Sequence, residues 1–291
     1  MISGVMTALV TPFAKNGSLD GEALDRLVDF QIENGVDALV PVGTTGESPT
    51  VSHDENMEVV ERVIRRSNGK VPVIAGTGSN STDEAIRMTK IAKAQGAFAS
   101  LQVAPYYNKP TQEGLYRHFS TIADSVDLPM VVYNIFGRTG VNIETPTLMR
   151  LASHPNVIAV KEASGNLGQM MDVIAQKPSD FVVLSGDDNL ALPLTLMGGS
   201  GVISVASNIV PRYMKEMIDA ARKGRIEEAK TMHYELLPLF KGMFLETNPI
   251  PIKECLAQMG MMEPVFRLPL CEPSENTKLR LTEILKSQGL L

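Results

Sequence analysis

The residues best suited to chemistry stand where apolar runs end. In "VIAVKEAS", Val157 to Ser164, four apolar residues lead straight into Lys161. A lysine at the end of a buried strand loses hydration, which disfavours its charged form and lowers its pKa. The neutral amine is a nucleophile and can form a Schiff base with a ketone. By strand alternation Lys161 shares a face with Val157 and Ala159, while Val160 and Glu162 share the other. The competing reading is a strand-end lysine that snorkels to water or pairs with a carboxylate.

Other apolar runs also end in polar groups. "GTTGES" carries Gly43, Thr44, Thr45 and Gly46. Its glycines let the backbone approach a ligand and present N–H groups to an anion, and its threonines add hydroxyls. It also reads as a plain turn in which Ser48 or Thr50 caps a helix. "APYYNKP" supplies Tyr106 and Tyr107, and "YNIFGRTG" supplies Tyr133 and Arg138. A tyrosine beside a Schiff base can relay protons, and an arginine is the usual planar fork for a carboxylate. Each tyrosine equally reads as core filler, and Arg138 as half of a surface ion pair.

Eight β-rich runs must position these groups: "GVMTALV", "VDALVPV", "VPVIAGTG", "FASLQVAP", "PMVVYNI", "VIAVKEAS", "FVVLSGDD" and "GVISVAS". Helical spacing lies between them, as at 20–34, where Leu24, Leu27, Val28 and Ile32 share a face, and at 54–66. Thr82-Asp83, Thr111 and Asp187-Asp188 read as helix starts. Strands alternating with helices imply a parallel sheet, and eight units imply an α/β fold closed into a (β/α)8 TIM barrel, with active groups at the strands' C-terminal ends. The runner-up is a doubly wound open sheet, but "GTTGES" is no G-x-G-x-x-G fingerprint. "MGGSG", Met197 to Gly201, precedes the eighth run and reads as a helix C-cap and tight turn rather than a phosphate cradle. After Pro211 three helical patterns follow. The expected organisation is a barrel over 1–224 and a C-terminal helical extension over 225–291.

Charge and composition exclude several function classes. Lys and Arg number 27 against 33 Asp and Glu, a net charge of −6, which argues against a nucleic-acid partner held by a general basic field. No stretch approaches the roughly 18 apolar residues that span a membrane, and the N-terminal run reads as a first strand. Cys255 and Cys271 are too few for a disulfide framework and fit a reducing cytoplasm. His53, His118, His154 and His233 are scattered without a ligand-pair spacing, so no metal site is expected. The Asp187-Asp188 pair reads as a helix cap rather than a cation site.

Six motifs, "GTTGES", "YYNKP", "YNIFGRTG", "VKEASG", "LSGDD" and "NPIP", occur in order at successive strand ends or beyond. With them the chain, from about Gly4 onward, resembles the dihydrodipicolinate synthase / N-acetylneuraminate lyase superfamily of lysine-dependent pyruvate aldolases. The Arg-Thr-Gly after the fifth run is similar to the dihydrodipicolinate synthase branch. That resemblance implies condensation of pyruvate with L-aspartate 4-semialdehyde to 4-hydroxy-tetrahydrodipicolinate in lysine and diaminopimelate biosynthesis, with no cofactor or metal. It implies Lys161 as the Schiff-base lysine and Tyr133 as the proton relay bonded to Thr44. Tyr107 would complete the relay from a neighbouring subunit, in a dimer of dimers. Thr45, Gly186 and Ile203 would line the pyruvate site, with the pyruvate carboxylate on the Thr44–Thr45 backbone, and Arg138 would hold the aldehyde's carboxylate. Ser48, Pro49, His53, Asn56, Asn80, Glu84 and Tyr106 match an inhibitory L-lysine site. One departure is Phe136, where the family commonly has proline. Alternatives are an aldolase for 2-keto-3-deoxy sugar acids or N-acetylneuraminate, which Arg138 disfavours, and a non-catalytic barrel, which the retained lysine and relay disfavour.

Overall fold

The computed structural model describes residues 2–291. Each of the eight β-rich runs becomes a strand of one parallel sheet: β1 (Gly4–Ala8), β2 (Ala38–Val40), β3 (Ile74–Gly76), β4 (Ala99–Val103), β5 (Met130–Asn134), β6 (Val157–Glu162), β7 (Val182–Ser185) and β8 (Gly201–Ser204). The order β2-β1-β8-β7-β6-β5-β4-β3 runs once around a ring. Between β2 and β3 the ring is closed by a parallel bridge, Leu39 to Val73, and by Gly76 N–H donating to the Pro41 carbonyl at 3.0 Å. This is the expected TIM barrel.

Helices cover the outside: α1 (Gly21–Glu33), α2 (His53–Ser67), α3 (Thr82–Gln95), α4 (Gln112–Ser125), a one-turn α5 (Phe136–Thr139), α6 (Thr145–Ala152), α7 (Leu167–Gln176), α8 (Asp188–Leu196) and α9 (Pro211–Arg222). The segments expected at 20–34 and 54–66 are α1 and α2. Asp20 caps α1 by accepting from Ala23 N–H, and Ser52 with Glu55 forms a full capping box on α2. Thr111 caps α4 as expected. The start of α3 is one residue earlier than Thr82 suggests: Ser81 is the cap, and the Thr82 hydroxyl instead meets His118 Nδ1 at 2.9 Å. "MGGSG" ends α8 and turns into β8, with Gly198 at φ +105°.

Four helices, not three, follow the last strand: α9, then α10 (Ile226–Gly242), α11 (Ile250–Gln258) and α12 (Glu275–Ser287). Pro249 and Pro251 explain the difference, since proline cannot continue a helix but fits the first positions of a new one. The last three do not form a separate core. Leu236, Phe240, Ile252, Leu256 and Leu281 share one buried cluster with Leu24, Val28 and Val60. A second outer cluster lies under α4, α6 and α7. Inside the ring Met6, Val40, Ile74, Leu101, Val131, Ala159, Leu184 and Ile203 fill the barrel up to Tyr133. Each Met, Val, Ile and Leu among them contributes roughly 1.5–3 kcal/mol of burial, so the rim above them rests on a packed floor. Among the described residues no helix is long and apolar enough to cross a membrane, and no three His, Cys, Asp or Glu side chains are grouped to hold a metal.

Candidate active site

Strand pairing decides which way Lys161 points. Met130 pairs with Val157, but Val131 pairs with Ala159, so Ile158 is an extra residue in β6. The irregularity turns Val157 out of the ring into the outer cluster while Ala159 faces the interior. The expectation that Val157 shares the face of Lys161 is therefore corrected; Ala159 does share it. Lys161 pairs in register with Tyr133. It is only 6% exposed, and its Nζ lies 4.2 Å from the Tyr133 ring centroid. Burial lowers its pKa to about 8; Asp188 opposes the shift and Arg138 adds to it.

Asp188 was expected, with Asp187, to cap a helix. Asp187 occupies the cap position of α8 without a capping hydrogen bond. Asp188 instead accepts from Val205 N–H at 3.1 Å and Ala206 N–H at 2.8 Å, tying α8 to the exit of β8. Burial raises its pKa to about 6. Tyr133 is buried too, which raises its pKa to about 12, while Arg138 and the Thr44 hydroxyl act in the opposite direction. It therefore stays a neutral hydroxyl, able to donate and accept, beside an amine that is easily deprotonated.

The "GTTGES" loop leaves β2 through Val42 at φ +59° and ends on Glu47 at φ +55°. Both are costly for residues with a Cβ and persist only when neighbours hold them. Gly46 N–H and Glu47 N–H turn inward onto the carbonyls of Gly43 and Thr44, each at 3.1 Å. Thr11 donates to the Gly46 carbonyl at 2.7 Å, and Asn248 Nδ2 donates to the Thr45 hydroxyl at 3.1 Å.

Arg138 stands on α5, directly after β5, and donates to the Asn248 carbonyl at 2.9 Å. Phe136 fills the first position of α5, which a proline would also fit. The departure from the family pattern leaves the turn helical. Gly186 follows β7, and a Cβ there would lie 2.8 Å from Ala163 Cβ and 3.0 Å from Lys161 Cε, so glycine makes room for both. Ile203 lies in the barrel floor on β8. Tyr107 is different: its backbone is left-handed at φ +71° and its side chain is 91% exposed, so its own barrel does not bury it.

A separate cavity of about 480 Å³ lies beside the second and third strand ends, lined by Ser48, Pro49, His53, Asn56, Glu84 and Tyr106 among others. Asn80 borders it by donating to the Tyr106 carbonyl at 3.1 Å. Glu84 pairs with His53 at 2.9 Å and accepts from Ser79, while the buried Asn56 Oδ1 has no partner among the described residues.

The sequence alone gave no such role to three contributors. Asn248 touches both Thr45 and Arg138, Asp188 is the charge that opposes Lys161's shift, and Lys253 reaches Glu47 in the loop. A signal for the last existed: Lys253 sits in "IPIKECL", an otherwise mostly apolar helix.

A buried lysine on a barrel strand, with a tyrosine in register and an arginine just past the end of that tyrosine's strand, suits a lysine-dependent class I aldolase. The chain belongs to the dihydrodipicolinate synthetase family, whose model matches residues 1–288. It is 50% identical over 291 residues to a 4-hydroxy-tetrahydrodipicolinate synthase of Thermodesulfovibrio yellowstonii, covering 100% of both chains. Among solved structures it is similar to the chloride-inhibited dihydrodipicolinate synthase of Acinetobacter baumannii complexed with pyruvate, at 44% identity, TM-score 0.98 and 100% coverage of both chains. It is also similar to the enzyme of Cyanidioschyzon merolae with lysine bound, at 44% identity, TM-score 0.96 and 99% coverage of both chains.

Proposed function

We propose that this chain condenses pyruvate with L-aspartate 4-semialdehyde to give 4-hydroxy-tetrahydrodipicolinate, on the route to diaminopimelate and lysine. The observation that carries the reading is the buried, easily deprotonated Lys161 in register with Tyr133. Neutral Lys161 attacks the ketone carbon of pyruvate, and water leaves as the imine forms. Tyr133, with Thr44, moves the protons, and loss of a methyl proton gives the enamine. The enamine carbon adds to the aldehyde, whose carboxylate Arg138 holds, while the pyruvate carboxylate rests on the Thr44–Thr45 loop between Gly186 and Ile203. The substrate amine then displaces Lys161 as the ring closes, so no cofactor or metal enters the cycle.

The exposed Tyr107 supports a homo-oligomer in which it serves a neighbouring subunit's site, in a dimer of dimers. The cavity beside Glu84 supports L-lysine as an inhibitor: Glu84 suits its α-amino group, Asn80 and Tyr106 its carboxylate, and Asn56 Oδ1 offers a free acceptor. The barrel over 1–224 carries the chemistry, and 225–291 braces it. Two free cysteines suit a cytoplasmic setting. The test is reductive trapping with pyruvate followed by a screen of aldehydes. An adduct on Lys161 with aspartate semialdehyde as the preferred partner supports the reading; preference for a sugar aldehyde overturns it.

A further inference from the structure

The loop assigned to the pyruvate carboxylate is braced from the other end of the chain. Glu47 and Lys253 form an ion pair with both side chains fully buried. Lys253 also donates to the Val265 carbonyl at 2.7 Å, and its Nζ lies 4.3 Å from the Phe13 ring centroid and 5.1 Å from that of Phe266. Arg267 N–H approaches the second Glu47 oxygen at 3.4 Å. The Arg267 guanidinium grips the carbonyls of Gly17 and Thr50 and both oxygens of Glu55, on either side of the loop. Asn248, just before α11, holds Thr45 with its side chain and Arg138 with its carbonyl.

A buried ion pair is a poor way to gain stability, because desolvation offsets much of the attraction and apolar replacements often serve as well. Its directional contacts do something apolar packing cannot. They fix residue 47 against α11 at one position, at the end of a loop whose left-handed Val42 and Glu47 would otherwise relax. We propose that the Glu47–Lys253 pair is a positioning pair for the "GTTGES" loop, holding Thr44 and Thr45 where the pyruvate carboxylate binds. The inference rests on the assignment of that loop to pyruvate. Lys161 and Tyr133 stand on β6 and β5 and are not in the braced segment. The pair therefore governs pyruvate binding, together with the Thr44 contact to Tyr133, and leaves the burial of the Lys161 amine alone.

The test measures pyruvate saturation of reductive trapping at Lys161, and the pH midpoint of the trapping rate, in Lys253→Met and in the charge-neutral double variant Glu47→Gln/Lys253→Met. The expected result is a half-saturating pyruvate concentration raised about tenfold or more, with the pH midpoint little changed. A folded double variant with wild-type half-saturation overturns the proposal, as does a fall in limiting rate with half-saturation unchanged. Failure of both variants to fold assigns the pair to stability and overturns it as well. Absence of pyruvate trapping in the wild type strikes instead at the functional reading.

Discussion

Lys161 and Tyr133 are register partners on adjacent strands, and the lysine Nζ sits 4.2 Å from the centroid of the tyrosine ring. Because the pairing is set by the β5–β6 ladder, the contact needs no flexible loop to form it. The phenol stays neutral and the amine is readily neutral, so one proton can pass between substrate and hydroxyl without a lasting charge on either group.

The amine's lowered pKa sets the pH dependence. Below its midpoint of about 8 the neutral fraction of Lys161 rises about tenfold per pH unit, and above it the amine is fully available. The initial rate of pyruvate imine formation, read by reductive trapping and intact mass, should follow that curve and level off well below pH 10. Lys161→Ala should give no adduct. A rate still climbing at pH 10 would mean that the amine is hydrated.

The same burial has a cost in stability. The folded protein gives up the Lys161 proton near pH 8, while the unfolded chain keeps it until about 10.5. Below pH 8 a charged amine is held in a dry site, costing about 3 kcal/mol. Between the two pKa values the unfolded state binds the extra proton, so wild-type stability rises with pH. Lys161→Met should therefore be the more stable protein at pH 6, with its advantage fading by pH 10.5. Urea midpoints at both pH values check this, and an equal gap at both would refute it.

Arg138→Ala should lower kcat/KM for aspartate semialdehyde by about two orders of magnitude, the usual loss for a charge-assisted carboxylate contact. Pyruvate trapping should change far less, since its carboxylate is assigned to the Thr44–Thr45 loop. Loss of trapping with normal aldehyde saturation would reverse the two assignments.

If Tyr107 serves the neighbouring subunit, inactive variants should complement. Lys161→Ala mixed and re-equilibrated with Tyr107→Phe should regain activity towards about a quarter of wild type, because half the dimers then hold one complete site of two. No recovery despite proven subunit exchange would place Tyr107 within its own chain's site.

L-lysine should slow the wild-type initial rate, and Glu84→Thr should relieve that inhibition, because Glu84 is the carboxylate of the second cavity. A flat wild-type response up to millimolar lysine would remove the regulatory site. A response unchanged by the substitution would move it elsewhere.

Local pattern made most of this fold legible. Runs of β-forming residues marked all eight strands, helical spacing marked α1 and α2, and Thr82 and Thr111 marked the starts of α3 and α4 to within a residue. Lys161 and Tyr133 could be found because each lies at the end of a strand run, and Arg138 because it follows one. The failures share a cause. Val157 was misplaced because a one-residue irregularity in a ladder leaves no trace in a run of apolar side chains. Asp188 was misread because its partners, Val205 and Ala206, lie across the β8 turn. The roles of Lys253 and Asn248 were missed because Glu47 and Thr45, which they hold, lie more than 200 positions away, a distance at which periodicity carries no information.

The brace between Glu47 and Lys253 also orders events in time. The two residues are 206 positions apart, and Arg267 meets Gly17 across 250. At typical rates of synthesis the loop waits about 10 to 40 s on the ribosome for the residues that will hold it. A nascent chain that has already made Lys161 and all eight strands still lacks its loop anchors. The bracing of this loop is thus one of the last contacts the polypeptide can make as it is synthesised, and a message broken ahead of α11 yields a chain with Lys161 but without the partner of Glu47.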